Sequence, residues 1–345
     1  MLVGLIGIAA FLSMWIENTA TAAMLIPVAM TISLQIAQPD QARRFLVILV
    51  LGIAYGASIG GMATIMGSAS NAVASSFLAQ IRVWTFIDWM RYGLPALVIL
   101  YPLTCWLLLR MAPVPVRTID VGQVKAQLAE LGPMSRTEVE ILLVLGGTAV
   151  LWVFGPGIEA ALNLPPTPPS AAMVAVIAVS YLGVREIINW DDLKGVSWGI
   201  FFIIGAGLAL DESLVRTGVT DWVAGLVGPV VVGAPFLASM LLLVTVSALL
   251  TNLLNNATIA AVFVPVLIVL AKADPSLNAA QLVLPVTVAT TFGYSLPSAS
   301  GRMALIASTG IVGRVEMLRY GMIMTMASSL ALALFFYLLA SLGWI

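Results

Sequence analysis

Histidine is absent from this chain, cysteine occurs once, at Cys105, and charged residues make up only 9% of its 345 positions. Without histidine, imidazole-ligated metal sites are excluded and any proton relay must run on carboxylates. A single cysteine excludes an internal disulfide. The net charge of −1 supplies no basic surface to displace counterions, so no nucleic-acid partner is expected. No His–carboxylate metal motif, Ser/His/Asp set or cluster of acid–base groups is legible, which argues against an enzyme and against an enzymatic cofactor.

What remains is apolar. A soluble domain carries about 25% charged residues. Here 61% of residues are hydrophobic and the mean hydropathy is +1.08, so water alone cannot solvate the surface. The chain reads as an all-α polytopic protein, multi-pass in the cell (inner or plasma) membrane and surrounded by lipid. Residues 1–16 lack the basic start of a signal peptide and are shorter than the about 20 residues a span needs. Several later apolar segments are also short and end in Gly, Ser, Asn or Thr clusters. That pattern predicts re-entrant hairpins and discontinuous helices.

Between Met1 and Pro39 the only ionisable side chain is Glu17, in the stretch WIENTATAA (15–23). LSMWIENTATAAMLIPV (12–28) aligns with LLTNLLNNATIAAVFVPV from Leu250, so that Ser13 meets Thr251, Asn18 meets Asn256 and Pro27 meets Pro265. Downstream, GSASN (67–71) resembles PSASG (297–301), and RYG at 91–93 recurs at 319–321. Matches in the same order at similar spacing predict an internal duplication. Each half would hold a hairpin, a broken helix and a span: 1–111 as the remainder of a first repeat, 112–136 as a cytoplasmic linker and 137–345 as a second repeat.

If the first hairpin opens toward the cytoplasm, Arg43, Arg44, Arg110, Arg117, Lys125, Arg136, Arg185, Lys194, Arg314 and Arg319 fall inside. Only Arg82, Arg91, Arg216 and Lys272 fall outside, which satisfies the positive-inside rule. The halves then have opposite orientation. An inverted-repeat transporter with two hairpins places its site near the bilayer midplane. Asp211 and Glu212 read as exterior interfacial charges, INWDDLK (188–194) as an interfacial segment and GAG (205–207) as a helix-packing feature.

The segments SMWIENTATAAMLIPVAM, AYGASIGGMATIMGSASNAV and LLTNLLNNATIAAVFVPVL resemble the divalent anion/sodium symporter family of di- and tricarboxylate carriers. The resemblance implies homodimers, elevator-type alternating access and coupling of a small divalent anion, a dicarboxylate or sulfate, to sodium, with protons as the other candidate. Carried over by position, it implies a first cation site at Ser13, Glu17, Asn18, Gly61, Gly67 and Ser68. A second falls at Thr251, Asn255, Asn256, Ala299 and Ser300. Asn18, Thr19 and Asn256 would face the anion, with Arg302 as a further contact.

Two letters depart from the family. Glu17 stands where it has serine, and Ala257 where it has threonine. SGRM also puts Arg302 at membrane depth. Buried ionisable groups in membranes read as functional by default. Arg302 is therefore expected at or beside the second cation site, in place of a sodium ion, or on the substrate. Glu17 is expected to bind the remaining cation, take a coupling proton or pair with Arg302. Family members carry helices before the first hairpin, so the sequence reads as an N-terminally truncated chain. An arsenite or other-anion permease of similar architecture and a non-transporting receptor or fragment are the alternatives.

Overall fold

The computed structural model describes residues 1–36, 38–111, 132–161, 171–195, 235–273 and 278–345, with isolated positions between 199 and 225. Residues 112–131 of the expected linker, and Asp211 and Glu212, lie outside the described residues. Among the described residues every regular element is a helix. They are α1 (Leu2–Ser13), α2 (Asn18–Ser33), α3 (Pro39–Gly61), α4 (Ala69–Leu78), α5 (Phe86–Met111), α6 (Arg136–Ala161) and α7 (Ala171–Val184). Then follow α8 (Trp190–Lys194), α9 (Phe236–Leu253), α10 (Asn256–Ala273), α11 (Ala279–Ala289), α12 (Gly301–Thr309) and α13 (Arg314–Ser341). Short 3₁₀ turns cover Thr290–Phe292 and Pro297–Ala299.

Stretches within α3, α5, α6, α9 and α13 are long and apolar enough to cross a membrane. The arms α1 and α2, and the Asn256–Ala271 stretch of α10, fall short of that length. α1 and α2 form one hairpin and α9 and α10 a second, and each turns within a few residues. Two helices are broken in the way the short apolar segments predict. α3 stops at Gly61 and resumes as α4 at Ala69, while α11 runs through Thr290–Phe292, stops, and resumes as α12 at Gly301.

The helices divide into two compact units. The larger holds both hairpins and both broken helices, drawn from the two ends of the chain, together with α13 and most of α5. At its centre lies α3, whose residues from Val47 to Gly61 are all buried. A helix apolar on every side belongs inside protein. Its neighbour α1 approaches so closely that a β-carbon on Gly60 would collide with the Ala10 carbonyl. The 28-residue α13 serves as a ruler along the bundle. At its first turn Glu316 lies 3.8 Å from Arg43 of α3. Just beyond its other end, the Ile345 carbonyl accepts from Gln281 Nε2 of α11 at 2.7 Å. So α3 and α11 start from opposite ends.

The smaller unit contains α6, α7 and α8. Glu140 of α6 accepts hydrogen bonds from Arg185 Nε at 2.6 Å, Arg185 Nη2 at 3.1 Å and Tyr181 Oη at 2.7 Å, which fastens α6 to α7. The INWDDLK stretch forms α8, a single exposed turn capped by Asn189.

Candidate functional site

Ser13 ends α1 and Asn18 opens α2, so the tip of the first hairpin presents a hydroxyl and an amide, both buried. Asn18 Oδ1 lies 2.5 Å from Ser13 Oγ, 2.9 Å from the Ala57 carbonyl oxygen and 3.1 Å from the Gly67 carbonyl oxygen. Ala57 belongs to the last turns of α3 and Gly67 to the break that follows. Gly61 lines the same corner: a β-carbon there would collide with Asn18 Oδ1. Asn71 of α4 holds the break in shape by donating from Nδ2 to the Gly61 carbonyl at 2.8 Å and the Thr64 carbonyl at 2.7 Å.

The second hairpin makes the same corner from equivalent parts. Asn256 Oδ1 lies 2.8 Å from Thr251 Oγ1, 2.9 Å from the Thr290 carbonyl oxygen and 3.1 Å from the Ala299 carbonyl oxygen. Here Asn252 holds the break, its Oδ1 accepting from the Ser295 N–H at 2.8 Å.

An amide oxygen facing only hydroxyl and carbonyl oxygens calls for a positive partner. Two occupants supply one. A hard cation takes hydroxyl, amide and carbonyl oxygens together. Alternatively the amide turns over, and its NH₂ donates to the same three oxygens. With the amide oxygen inward, each corner offers four neutral oxygens and no carboxylate, a set suited to a monovalent ion rather than to a divalent one.

In front of the corners, helix starts converge. α2 and α4 begin on either side of the Asn18–Gly67 contact, and α10 and α12 on either side of the Asn256–Ala299 contact. Thr19 crosses from the first tip to the start of α12, where a β-carbon on Gly301 would sit 2.6 Å from Thr19 Oγ1. Ser300 Oγ, before the first turn of α12, is buried without a hydrogen-bond partner. Helix N-termini favour a bound anion; of these four, the starts of α2 and α10 have part of their N–H groups taken by the Glu17 and Asn255 side chains.

Of the residues expected in the corners, Ser13, Asn18, Gly61, Gly67, Thr251, Asn256 and Ala299 are assembled there. Ser68 and Ser300 instead precede α4 and α12, and Ser68 Oγ pairs with Ser70 Oγ at 2.9 Å. Glu17 and Asn255 occupy a third kind of position. Glu17 is exposed, and its carboxylate accepts from Thr19 N at 2.7 Å, Ala20 N at 3.2 Å and Thr19 Oγ1 at 3.1 Å. Asn255 Oδ1 accepts from Ala257 N at 2.9 Å. Both are N-caps, turned to the helix start rather than to the corner.

The expected pair of Glu17 with Arg302 is not formed: among the described residues no ion pair links them. Backbone N–H groups of α2 satisfy the carboxylate. Arg302 is only 1% exposed, and its Nη2 donates to Ser58 Oγ at 2.7 Å, the Thr291 carbonyl at 2.8 Å and the Gly293 carbonyl at 3.4 Å.

Sequence reasoning missed Ala57, Ser58 and Thr290, two of which act through backbone carbonyls that no side chain advertises. It also set the loop match two residues out of register. By geometry Gly67 corresponds to Ala299 and Ser68 to Ser300, so Arg302 stands opposite Ser70.

An uncharacterized transporter of Haemophilus influenzae is 31% identical over 337 residues, which is 96% of this chain and 71% of that protein. The sodium-dependent dicarboxylate transporter SdcS of Staphylococcus saprophyticus is 25% identical over 353 residues, 95% of this chain and 67% of its own length. Among solved structures, the YdaH transporter of Alcanivorax borkumensis, described as having an unusual topology, superposes with a TM-score of 0.53 at 12% identity. The match covers 99% of this chain and 85% of that one, a likeness of fold. The family model of the sodium:sulfate symporter transmembrane region matches residues 1–344, and the chain belongs to that family of multi-pass membrane transporters, which are not enzymes.

Proposed function

We propose that this protein is a cation-coupled secondary transporter of a small divalent anion, a dicarboxylate such as succinate or sulfate. Sodium is the coupling ion, one in each oxygen-lined corner. The anion binds in front of the corners, between the hairpin tips, against Asn18, Thr19, Asn256 and the helix starts. The carrying observation is the twin construction: two hairpin-tip amides, each set against a hydroxyl and two carbonyl oxygens, directly behind four converging helix N-termini. Cations held behind the tips make the space in front of them more favourable to an anion, and a bound anion does the same for the cations. That reciprocity is thermodynamic coupling.

The paired parts support an inverted repeat, 1–111 against 137–345. Gly93 and Gly321, from the two RYG segments, each bring the last long helix of a half onto the backbone of a helix break. A β-carbon on Gly93 would meet the Ala63 carbonyl at 2.6 Å, and one on Gly321 would collide with the Tyr294 carbonyl. The opposite starting ends of α3 and α11 fit the same reading. Alternating access would move the larger unit as an elevator within a homodimer, with Arg43 and Arg314 on the cytoplasmic side.

The test is purified protein in liposomes given labelled succinate or sulfate. Uptake above equilibrium that requires an inward sodium gradient supports the reading. Saturable binding without flux identifies a receptor, and flux indifferent to sodium and pH gradients identifies an uncoupled permease; either result overturns it.

A further inference from the structure

Among the described residues Arg302 is the one fully buried cation beside the corners, and the proposed cycle does not use it. It projects from the first turn of α12, yet its Nη2 reaches back to Ser58 Oγ and the carbonyl oxygens of Thr291 and Gly293. Those partners form the same donor set as the two corners, a hydroxyl with carbonyls freed where a half-helix ends. Such carbonyls carry the negative end of the helix dipole and are a recurrent cation ligand in broken transporter helices.

The location is as telling as the chemistry. Ser58 follows Ala57, whose carbonyl belongs to the first corner, and Thr291 follows Thr290, whose carbonyl belongs to the second. The guanidinium therefore lies between the corners and touches the chain next to each. Ser58 Oγ also donates to the Thr291 carbonyl, so the three-oxygen nest is closed around it. No carboxylate pairs with Arg302 among the described residues. The field of the Glu17 carboxylate reaches Arg302 from beyond contact distance, and a buried charge without a contact counter-ion is costly unless something else uses its field.

We propose that Arg302 is a resident cation filling a third oxygen nest, one positive charge that the protein carries permanently where a mobile ion would otherwise be needed. This rests on the reading of the two corners as cation sites. Its consequence is a coupling ratio: two mobile cations accompany a dianion, so the loaded site moves no net charge beyond what returns with the unloaded protein.

Cations and anion transported per cycle are measured together in proteoliposomes, with the membrane potential clamped by potassium and valinomycin. The expected ratio is two sodium ions per dianion, with uptake insensitive to potential. Electrogenic, sodium-driven uptake by the wild type overturns the resident cation while leaving the corners intact. Absence of sodium-driven uptake overturns the corners themselves. Arg302→Ala opens the nest of Ser58, Thr291 and Gly293 to a mobile ion. Its sodium activation curve is expected to steepen by about one Hill unit. Its accumulation should then respond to potential by roughly fifty-fold per 100 mV, the weight of one elementary charge. Arg302→Lys keeps the charge and should retain the wild-type ratio. An Arg302→Ala protein that binds substrate and transports with the wild-type ratio and potential response also overturns the proposal. If Arg302→Ala fails to fold, the potential response of the wild type alone decides.

Discussion

Thr19 of the first hairpin tip rests against Gly301, the first residue of α12, closely enough that no side chain fits between them. Two segments separated by most of the chain thus share one face of the proposed anion space. Gly301→Ala should push the Thr19 hydroxyl aside while leaving the corners whole. We expect a rise in KM for the anion of about tenfold, the lower range of an overpacking cost. The sodium activation curve should stay in place. Uptake kinetics at saturating sodium check this, and an unchanged KM would remove the tip from the anion site.

The two amides make a sharper prediction. Asn18→Ala and Asn256→Ala each delete one oxygen of a four-oxygen corner, and the apparent sodium affinity should fall by about tenfold or more in each, the scale of one lost charge-assisted contact. Half-activation by sodium in liposomes is the readout. A loss of anion affinity with no shift in sodium activation would contradict the assignment.

Glu17 should matter less than its solitary charge suggests. As an N-cap it is replaceable by a neutral acceptor, so Glu17→Gln is expected to keep sodium-driven uptake and its stoichiometry. Glu17→Ala should lower thermal stability in detergent by the about 1 kcal/mol typical of a lost cap. Uptake abolished in Glu17→Gln with intact folding would restore the carboxylate to a direct role.

Asn71 carries no site role in the sequence reading, and its Nδ2 holds two carbonyls of the break between α3 and α4. Asn71→Asp cannot donate to either. Leaving buried carbonyls without partners costs about 1–3 kcal/mol each, so folded yield and melting temperature should drop clearly. Asn71→Ser, short but able to donate, should recover part of the loss.

These cases also mark what the sequence could disclose. Polar side chains in an apolar stretch are conspicuous, and the internal repeat pairs Ser13 with Thr251 and Asn18 with Asn256; their place in a cation site came from the family resemblance. Short apolar segments announced the hairpins and the broken helices because a chain that cannot span must turn or stop. Ala57 and Thr290 escaped notice because they act through carbonyls that every residue possesses. Glu17 and Arg302 looked like partners because both are charges at membrane depth. Nearer groups engage each of them first: helix N–H groups for the carboxylate, the Ser58 hydroxyl and half-helix carbonyls for Nη2 of the guanidinium. The GSASN and PSASG letters invited an alignment two positions from the one that helix starts impose.

The amide of Asn18 has one final consequence, because its two ends have opposite appetites. With oxygen inward it would serve the proposed cation; with NH₂ inward it donates to Ser13, Ala57 and Gly67. In the proposed cycle an unloaded corner would thus be stoppered by the side chain that serves the loaded one, and the returning protein would not need to drag water or a stray ion across the membrane to keep those oxygens content. An aspartate in its place, nearly the same shape but without the N–H, would lose the stopper, and its signature would be a sodium leak in the absence of any anion.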